Sequence, residues 1–480
     1  MAKIDWTTLY RKAPKWYQDA KFGLFFHWGP YSVPAYQNEW YSRNMYAKGL
    51  SQNQWHVSKY GKLKDFGYKD FYPQMTGASF DPDEWALMAK RSGARYAGPV
   101  TEHADNFSMW NSKINPVNSV NYGPKRDVVG ECAEAMRKNG IKMLGTFHHQ
   151  WLWGWFMSTE GEADVYDPAN EKYYGPCLPL ETNRYIPYRL PDDAFCNNWL
   201  GKVREVVDVY RPDVLYFDSR TNIINERFRY EMAEHYYRTV PDGIITYKQE
   251  DIPEHVGVLD IERGHFSQAK PFFWQTDDRL EDNVTWCMVQ EPKYRSAKSV
   301  VWQLCDIVSK NGALLLNVGP YADGRFHDDA KKELYAIGDW LLVNGEAIYE
   351  TRPWRIAMEG MGDEKDTNYD VTRIKAQLNE GLESADTQKG DFSHKDFRFT
   401  CSEDAVYAIA LGFPSDGKLL IKSITKDIMP TIAKTELLGY SHSLKFTQTE
   451  KGLLVELPGN SPGQYAWTIK VTQYTKMQKH

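Results

Sequence analysis

Apolar runs and helix-period segments alternate over the first two-thirds of the chain. Seven runs have the length and composition of strands buried on both faces, and six longer segments place apolar residues three and four apart with charges on the opposite side. The predicted strands are 22–27, 95–103, 141–149, 213–218, 244–248, 256–262 and 313–319. The predicted helices are 83–91, 128–138, 200–210, 227–237, 297–308 and 330–343.

This alternation predicts one large domain of the α/β class. Strands separated by helices are typical of parallel sheets, and a (β/α)8-like barrel is the arrangement that best fits residues 1–350. Seven strand candidates leave one barrel strand unidentified. At 480 residues the chain is too long for a single core, so a second domain is expected.

The pattern changes after residue 350. A polar stretch rich in Gly and Asp at 359–395 is followed by short apolar runs at 405–411, 419–424 and 453–457, with the turn sequences Pro-Ser-Asp-Gly and Pro-Gly-Asn near them. Short strands separated by such turns favour an antiparallel β-sandwich. We therefore expect residues 351–480 to form a C-terminal β-sandwich.

Charge and composition narrow the partners. The chain has 58 Lys and Arg against 64 Asp and Glu and no basic block, which argues against a nucleic-acid partner. It has no apolar run of about 18 residues, so no membrane partner is expected. The 17 Trp residues favour a carbohydrate partner, because indole rings stack on the apolar faces of sugars. Whether the protein forms a homo-oligomer is left open.

The cysteines and the N-terminus bear on the compartment. Six cysteines are scattered without CxxC spacing, which predicts reduced structural thiols rather than a disulfide framework or a zinc site. The first six residues lack a basic region followed by an apolar core. We expect a cytoplasmic protein, or a periplasmic or secreted one from which a signal has been removed.

Most of the unusual polar residues lie where predicted strands end. Asp218 follows the apolar run 214–217, and such a position in a barrel faces the catalytic mouth. The alternative is that Asp218 caps the next helix, since Asp is a favoured cap. The other strand-end groups, which would converge on the same pocket, are His27-Trp28-Gly29, 102–105, His148-His149 and 260–264.

Asp218 and Glu262 are the two acids that could face one substrate bond. Glycoside hydrolysis needs one carboxylate to attack or to activate water, and one protonated acid to serve the leaving oxygen. Arg220 or Arg263 could keep the first ionised, and a structural salt bridge to one of them is the alternative role for Glu262. The candidates for an apolar wall that keeps the acid protonated are Trp28, Trp40 and Trp274.

Metal and nicotinamide chemistry are not favoured by the residue spacing. No HxxxH or HExxH motif puts two ligands on one helical face, although several histidines lie at strand ends. No GxGxxG motif follows a predicted strand. The sequence therefore predicts neither a metal nor an organic cofactor.

Five segments carry a specific resemblance to a known family. They are 16–29 (WYQDAKFGLFFHWG), 38–41 (NEWY), 94–112, 215–218 (LYFD) and 309–320 (SKNGALLLNVGP). In order, they are similar to the opening strand, a sugar-contacting loop, a third block, the strand with the nucleophile and the closing strand of the α-L-fucosidases of glycoside hydrolase family 29. The chain resembles this family over nearly its whole length.

The resemblance implies a barrel followed by a β-sandwich, and a retaining, cofactor-free, exo-acting removal of terminal α-L-fucose from oligosaccharides or glycans. It implies that Asp218 is the nucleophile. The resemblance does not assign the acid/base, because the surroundings of that residue vary within the family. Glu262 is chosen from its strand-end position, with Glu281 as the second choice. The residues expected to contact the sugar, from the resemblance or from their positions, are His27, Trp28, Glu39, Trp40, His103, His148, His149, Trp151, Arg263 and Trp274.

One motif departs from the family pattern. Where family members commonly have His-His-Asp-Gly-Phe, residues 103–107 read His-Ala-Asp-Asn-Phe, so one sugar-binding histidine is replaced by Ala104. Either a neighbour such as His149 or Trp151 fills the gap, or the preferred sugar differs from fucose. Two alternatives follow: an α-L-galactosidase acting on the L-galactose of algal galactans, plain or modified at C6, and a non-catalytic sugar-binding protein.

Overall fold

A closed barrel occupies the first two-thirds of the chain. The computed structural model describes residues 4–158, 162–175, 178, 189–249, 251–283, 285–362 and 391–473. Within these residues, the parallel barrel strands are β1 (Phe22–Phe26), β2 (Tyr96–Glu102), β3 (Lys142–Phe147), β4 (Val214–Phe217), β5 (Ile244–Lys248), β6 (Val258–Asp260), β7 (Trp274–Arg279) and β8 (Gly312–Asn317). The strands follow chain order, and β8 pairs with β1 to close the barrel. The predicted barrel is confirmed.

The helices alternate with these strands. In the described part of the chain they are α1 (Lys15–Ala20), α2 (Tyr41–Asn44), α3 (Ser51–Tyr60), α4 (Pro82–Arg91), α5 (Val128–Lys138), α6 (Glu171–Tyr174), α7 (Asp193–Tyr210), α8 (Glu226–Thr239), α9 (Ala297–Ser309) and α10 (Asp328–Asn344). All six predicted helices are among them. α7 begins before residue 200 because Asp192 caps it by accepting from the Phe195 N–H. None of these described helices is long and apolar enough to cross a lipid bilayer.

β7 is the strand that the hydrophobic pattern missed. Its sequence, Trp-Gln-Thr-Asp-Asp-Arg, is buried along its whole length yet contains no apolar run. Successive side chains alternate between the barrel interior and the helix layer. Asp277 meets Tyr216 inside the barrel, and Asp278 accepts from Arg295 and Gln303 outside it. These partners stabilise polar groups that would otherwise be costly to bury.

Two antiparallel sheets follow the barrel and form the predicted sandwich. Their strands are β9 (Arg352–Glu359), β10 (Phe397–Cys401), β11 (Ala405–Ala410), β12 (Lys418–Ile421), β13 (Ile432–Leu437), β14 (Phe446–Thr449), β15 (Gly452–Glu456) and β16 (Trp467–Gln473). The larger sheet has the order β13-β16-β11-β10-β9 and the smaller β12-β15-β14. Their inner faces share one apolar core, to which Val406 and Leu453 belong. Most of the polar stretch predicted at 359–395 lies outside the described residues.

A buried ionic cluster joins the barrel to the sandwich. Arg398 of β10 donates from Nε to Asp306 Oδ1 of α9 at 2.5 Å, and Lys310 Nζ donates to Asp306 Oδ2 at 2.7 Å. All three side chains are fully buried. Since α10 ends at Asn344 and β9 begins at Arg352, we propose the division at residue 350 as the domain boundary.

The described cysteines are free thiols. They are Cys132, Cys196, Cys287, Cys305 and Cys401, of which all but Cys401 are buried. Cys177 lies outside the described residues. Within the described chain, the expectation of reduced structural thiols therefore holds.

Candidate active site

A pocket opens at the carboxyl ends of the barrel strands, where the sequence predicted it. Its lining bounds ≈ 430 Å³ of empty space, a figure that includes open solvent at the mouth. The predicted site residues that line it are His27, Glu39, Trp40, His103, His148, Trp151, Asp218 and Glu262. Tyr216, Ser219, Lys248, Asp277 and Trp286, which were not predicted as site residues, complete the lining.

Asp218 directly follows β4 and turns its side chain into this pocket. Its backbone continues the sheet, because its N–H donates to the Phe147 carbonyl at 3.0 Å. Its carbonyl accepts from Gln150 Nε2 at 2.7 Å. The next helix, α8, is capped instead by Asn225, which accepts from the Arg227 N–H. The helix-cap alternative for Asp218 is therefore not supported.

Lys248, the last residue of β5, bridges three carboxylates. Its Nζ lies 2.9 Å from Glu262 Oε2, 3.1 Å from Asp277 Oδ2 and 3.3 Å from Asp218 Oδ1. These contacts place Asp218 Oδ1 and Glu262 Oε2 no more than about 6.2 Å apart, the sum of their two distances to Nζ. A separation of about 5–5.5 Å is typical of retaining glycosidases and about 6.5–9.5 Å of inverting ones. This limit, which concerns one oxygen of each carboxyl, places both groups within reach of one glycosidic bond.

Burial and charge compete over the ionisation of this cluster. Burial raises the pKa of Asp218 to about 6, and the positive charge of Lys248 limits the rise. Burial acts in the opposite direction on Lys248, but Asp277 and Glu262 outweigh it and raise the Lys248 pKa well above its ordinary value. Lys248 is therefore a permanent cation beside Asp218.

Three neutral imidazoles, those of His27, His103 and His148, share the pocket lining with Lys248. Burial lowers the pKa of His27 to about 3, and burial also holds the pKa values of His103 and His148 well below the ordinary value. His27 Nδ1 bonds Asn317 Oδ1 at 2.7 Å, and Asn317 in turn donates from Nδ2 to the Trp286 carbonyl. This orientation makes His27 Nδ1 the donor and leaves Nε2 as an acceptor. Neutral imidazoles of this kind can bind sugar hydroxyls.

His27, His103 and His148 are also close enough to be considered as metal ligands. One ring nitrogen from each lies within 4.8 Å of the others. Imidazole nitrogens are common zinc ligands. The sequence analysis expected these histidines to converge at strand ends but did not favour a metal, because no HxxxH or HExxH spacing is present. The expected absence of a metal stays a prediction.

Two indole rings form the apolar side of the pocket. Trp40 and Trp151 meet edge to face, with ring centroids 5.3 Å apart. Trp153 and Trp155 lie behind them, where their Nε1 atoms donate to the Arg189 carbonyl and to Ser42 Oγ. The tract 151–156 is therefore a packed loop that contributes one ring, Trp151, to the pocket.

Four residues predicted to contact the sugar lie elsewhere. Trp28 points into the core and donates to the Tyr321 carbonyl, while His149 packs against Trp199 on the outer side of β3. Arg263 lies 3.8 Å from Asp278 on the helix side of β7. Trp274 begins β7 and therefore lies at the opposite end of the barrel. Side-chain alternation and strand direction, which single-residue positions do not reveal, account for these differences.

Comparison with known proteins agrees with this architecture. A family profile described as Alpha-L-fucosidase matches residues 2–346, and one described as Alpha-L-fucosidase C-terminal domain matches residues 388–472. The tissue alpha-L-fucosidase of Homo sapiens is 30% identical over 495 residues, covering 98% of this chain and 91% of the human protein. This chain belongs to the α-L-fucosidase family. It is accordingly a glycosidase.

Solved α-L-fucosidase structures are similar over nearly the whole chain. The Thermotoga maritima alpha-fucosidase in complex with a mechanism-based inhibitor gives a TM-score of 0.74 at 25% identity, covering 98% of this chain and 99% of that one. The same enzyme in complex with fucose gives a TM-score of 0.72 at 26% identity, covering 98% and 100%. The barrel and the sandwich are therefore shared with these fucosidases.

The altered motif of this α-L-fucosidase family member does not enlarge the pocket. Ala104 is 1% exposed, packs in the apolar core and is not among the lining residues. Asn106 donates to the carbonyls of Lys172 and Tyr173, away from the site. Instead, His148 from β3 stacks on His103 with ring centroids 4.9 Å apart. The neighbour that supplies a second imidazole is thus His148 rather than His149.

Glu281, the second choice for the acid/base, does not reach the pocket. Its Oε1 accepts from the Gly319 N–H at 2.7 Å, and its Oε2 lies 3.4 Å from Asn317 Nδ2. Burial raises its pKa to about 8. Glu281 therefore supports Asn317, which in turn orients His27.

Lys248 and Asp277 are the most consequential site residues that sequence reasoning missed. Lys248 ends a predicted strand, so the strand-end rule that selected Asp218 could have selected it as well. Asp277 could not be found in this way, because its strand was not recognised. Trp286, whose backbone N–H donates to Glu39 Oε2 at 2.9 Å, lies in a loop and carries no comparable sequence signal.

Proposed function

We propose that this protein is an exo-acting, retaining α-L-fucosidase that removes terminal α-L-fucose from oligosaccharides or glycans. The observation that carries the proposal is the joint contact of Asp218 and Glu262 with Lys248 in the pocket at the carboxyl ends of the barrel strands. The retaining mechanism follows from the resemblance to glycoside hydrolase family 29, and the proximity of the two carboxyls is compatible with it. The binding of fucose and of a mechanism-based inhibitor by the related Thermotoga maritima enzyme supports the same substrate class.

The proposed reaction uses the two carboxyls in sequence. Asp218 attacks the anomeric carbon, and the glycosidic bond breaks as Glu262 gives its proton to the leaving oxygen. Glu262 then takes a proton from water, whose oxygen attacks the anomeric carbon and releases Asp218. Lys248 keeps Asp218 ionised before attack and stabilises it again when the ester breaks.

The pocket wall would hold the sugar by complementary contacts. Neutral His27, His103 and His148 would bond the hydroxyls, and Glu39, 4% exposed, would accept from one of them. Trp151 would contact the apolar face of the ring. The exo-acting assignment follows from the resemblance to the α-L-fucosidases of glycoside hydrolase family 29.

Replacement of the proposed nucleophile tests the mechanism. Asp218→Gly should lower turnover of nitrophenyl α-L-fucoside by orders of magnitude, and azide should restore part of it by attacking the vacated face. The product of wild-type hydrolysis, followed by proton NMR, should first appear as the α-anomer. A first-formed β-anomer would contradict retention. Unchanged sugar binding without any wild-type turnover would instead support the non-catalytic alternative.

The alternative substrate, an α-L-galactoside, differs from an α-L-fucoside only at C6, where L-fucose lacks the hydroxyl of L-galactose. Ala104 is buried and does not line the pocket, so the replacement of the family histidine by alanine leaves no additional space there for a substituent at C6. Paired kinetics on nitrophenyl α-L-fucoside and α-L-galactoside should therefore show a higher kcat/KM for the fucoside. A higher kcat/KM for the galactoside would replace the proposed substrate while leaving the roles of Asp218 and Glu262 intact.

A further inference from the structure

A column of polar side chains crosses the barrel interior below the pocket. Tyr17 and Tyr96 donate from their hydroxyls to Gln275 Oε1, at 2.5 and 2.9 Å. Gln275 Nε2 donates to Asp260 Oδ2 at 2.5 Å. All four side chains are fully buried. The usual apolar filling of a barrel is therefore replaced on this side by a hydrogen-bonded chain that leads towards the catalytic carboxyls.

The column continues from Asp260 to Asp277. Both side chains face the barrel interior from the neighbouring strands β6 and β7, and Asp260 pairs across the sheet with Gln275, two residues before Asp277. Oδ1 of each carboxyl is buried and has no donor among the described residues. Ionised carboxylates only accept hydrogen bonds, so two of them can bond each other only if one is protonated. Two negative charges on neighbouring buried carboxyls would also repel each other strongly.

We propose that Asp260 and Asp277 share one proton inside the barrel and that this pair, through Lys248, sets the charge that acts on Asp218 and Glu262. Asp277 is the ionised member, because its Oδ2 accepts from Tyr216 at 2.9 Å and from Lys248 at 3.1 Å. Asp260 is the protonated member. The inference rests on the proposed function in that Asp218 and Glu262 are the catalytic carboxyls.

The other charged and titratable groups around the pair agree with this assignment. β4 contributes Tyr216, the turn after it Asp218, β5 Lys248, and the turn after β6 Glu262. Burial, followed by the charge of Asp277, raises the pKa of Asp260 well above its ordinary value. In the pocket lining, His27, His103 and His148 are neutral and add no charge. Lys248 is thus the counter-ion of Asp277 as well as of Asp218.

Two isosteric substitutions distinguish the ionised member of the pair, Asp277, from the protonated member, Asp260. Asp277→Asn removes a negative charge 3.1 Å from Lys248 Nζ, so both limbs of the kcat/KM pH profile should move to lower pH by about one unit. Asp260→Asn keeps a neutral donor towards Asp277 and should leave both limbs where they are. Equal shifts in the two variants, or no shift in Asp277→Asn, would overturn the proposal.

A measurement without turnover tests the shared proton itself. The infrared difference spectrum of the wild-type protein minus Asp260→Asn, recorded at neutral pH, should contain a deuterium-sensitive band of a protonated carboxyl group. Absence of that band would overturn the proposal even if the enzyme is an active fucosidase. Its presence in a protein without fucosidase activity would refute the proposed function alone. Should Asp277→Asn fail to fold, this spectrum and the Asp260→Asn profile decide the question.

Discussion

The ionisation of Asp218 depends on one neighbouring cation, Lys248. The Asp218 side chain is 18% exposed and lies near other carboxyls, and its pKa of about 6 results from desolvation, which raises it, and from Lys248, which lowers it. A nucleophile must be ionised to attack. The activity should therefore rise with pH through about 6, as Asp218 loses its proton.

Lys248→Met should move the acid limb of the kcat/KM profile to higher pH. Without the cation 3.3 Å away, burial and the neighbouring acids would raise the pKa of Asp218 further, by about 1–3 units. The measurement is the pH dependence of nitrophenyl α-L-fucoside hydrolysis by the variant and the wild type. An acid limb at an unchanged pH would show that Lys248 does not control Asp218.

His148 and His149 offer a matched pair of adjacent histidines. His148 lines the pocket, whereas His149 Nε2 bonds the Trp199 carbonyl at 3.2 Å on the far side of the strand. Loss of one hydrogen bond to a sugar hydroxyl costs about 0.5–1.5 kcal/mol, so His148→Ala should raise KM about 2- to 13-fold. His149→Ala should instead lower the melting temperature. Equal KM values for the two variants would contradict the placement of His148 in the sugar site.

At the scale of elements, β7 is stabilised by ionic partners rather than by apolar contacts. Asp278 is 2% exposed and accepts from Arg295 at 2.7 Å and from Gln303 at 2.8 Å. Burial would raise the pKa of Asp278, but Arg295, Arg279 and Arg263 together hold it below the ordinary value. This stabilisation is present above the unfolded-state pKa and is lost as the pH falls through the lower folded-state value.

Asp278→Ala should lower the free energy of unfolding by about 3–5 kcal/mol, because it leaves buried arginines without their partner. Urea denaturation at neutral pH measures the change. Glu134→Ala, which removes an exposed acid from α5, is the control and should change the free energy by less than about 0.5 kcal/mol. Similar values for both variants would mean that the Asp278 cluster does not stabilise β7.

At the scale of the whole molecule, ion pairs of different burial join the barrel to the sandwich. Arg398, Asp306 and Lys310 are fully buried between α9 and β10. The pair between Lys470 and Glu346 also links the two parts but is partly exposed, at 27% and 48%. Burial makes the loss of one partner costly, whereas solvent screens the exposed pair.

Arg398→Ala should therefore lower the free energy of unfolding by about 3–5 kcal/mol and separate the thermal unfolding of the sandwich from that of the barrel. Lys470→Ala should cost no more than about 1 kcal/mol and keep a single transition. Differential scanning calorimetry of the full chain measures both effects. A single transition at an unchanged temperature in Arg398→Ala would rule out a stabilising role for the buried cluster.

The sequence by itself determined the elements whose burial can be predicted from the apolar residues in their own segment. The apolar run 214–217 predicted β4 and, at its end, Asp218, because a strand covered on both faces is usually apolar. The amphipathic helices were predicted for the same reason, since one face meets the barrel and the other meets water. The convergence of strand ends on one pocket followed from the parallel order of the strands.

Only the tertiary structure decided what depends on contacts between distant residues. β7 is buried through partners on other elements, such as Arg295, so its own sequence carries no apolar signal. The orientation of each side chain separated His148 from His149. The strand-end position of Asp218 was readable in the chain, but its ionisation depends on Lys248, which reaches it only when β4 and β5 lie side by side. Electrostatic interactions act through space, and the folded barrel sets those distances.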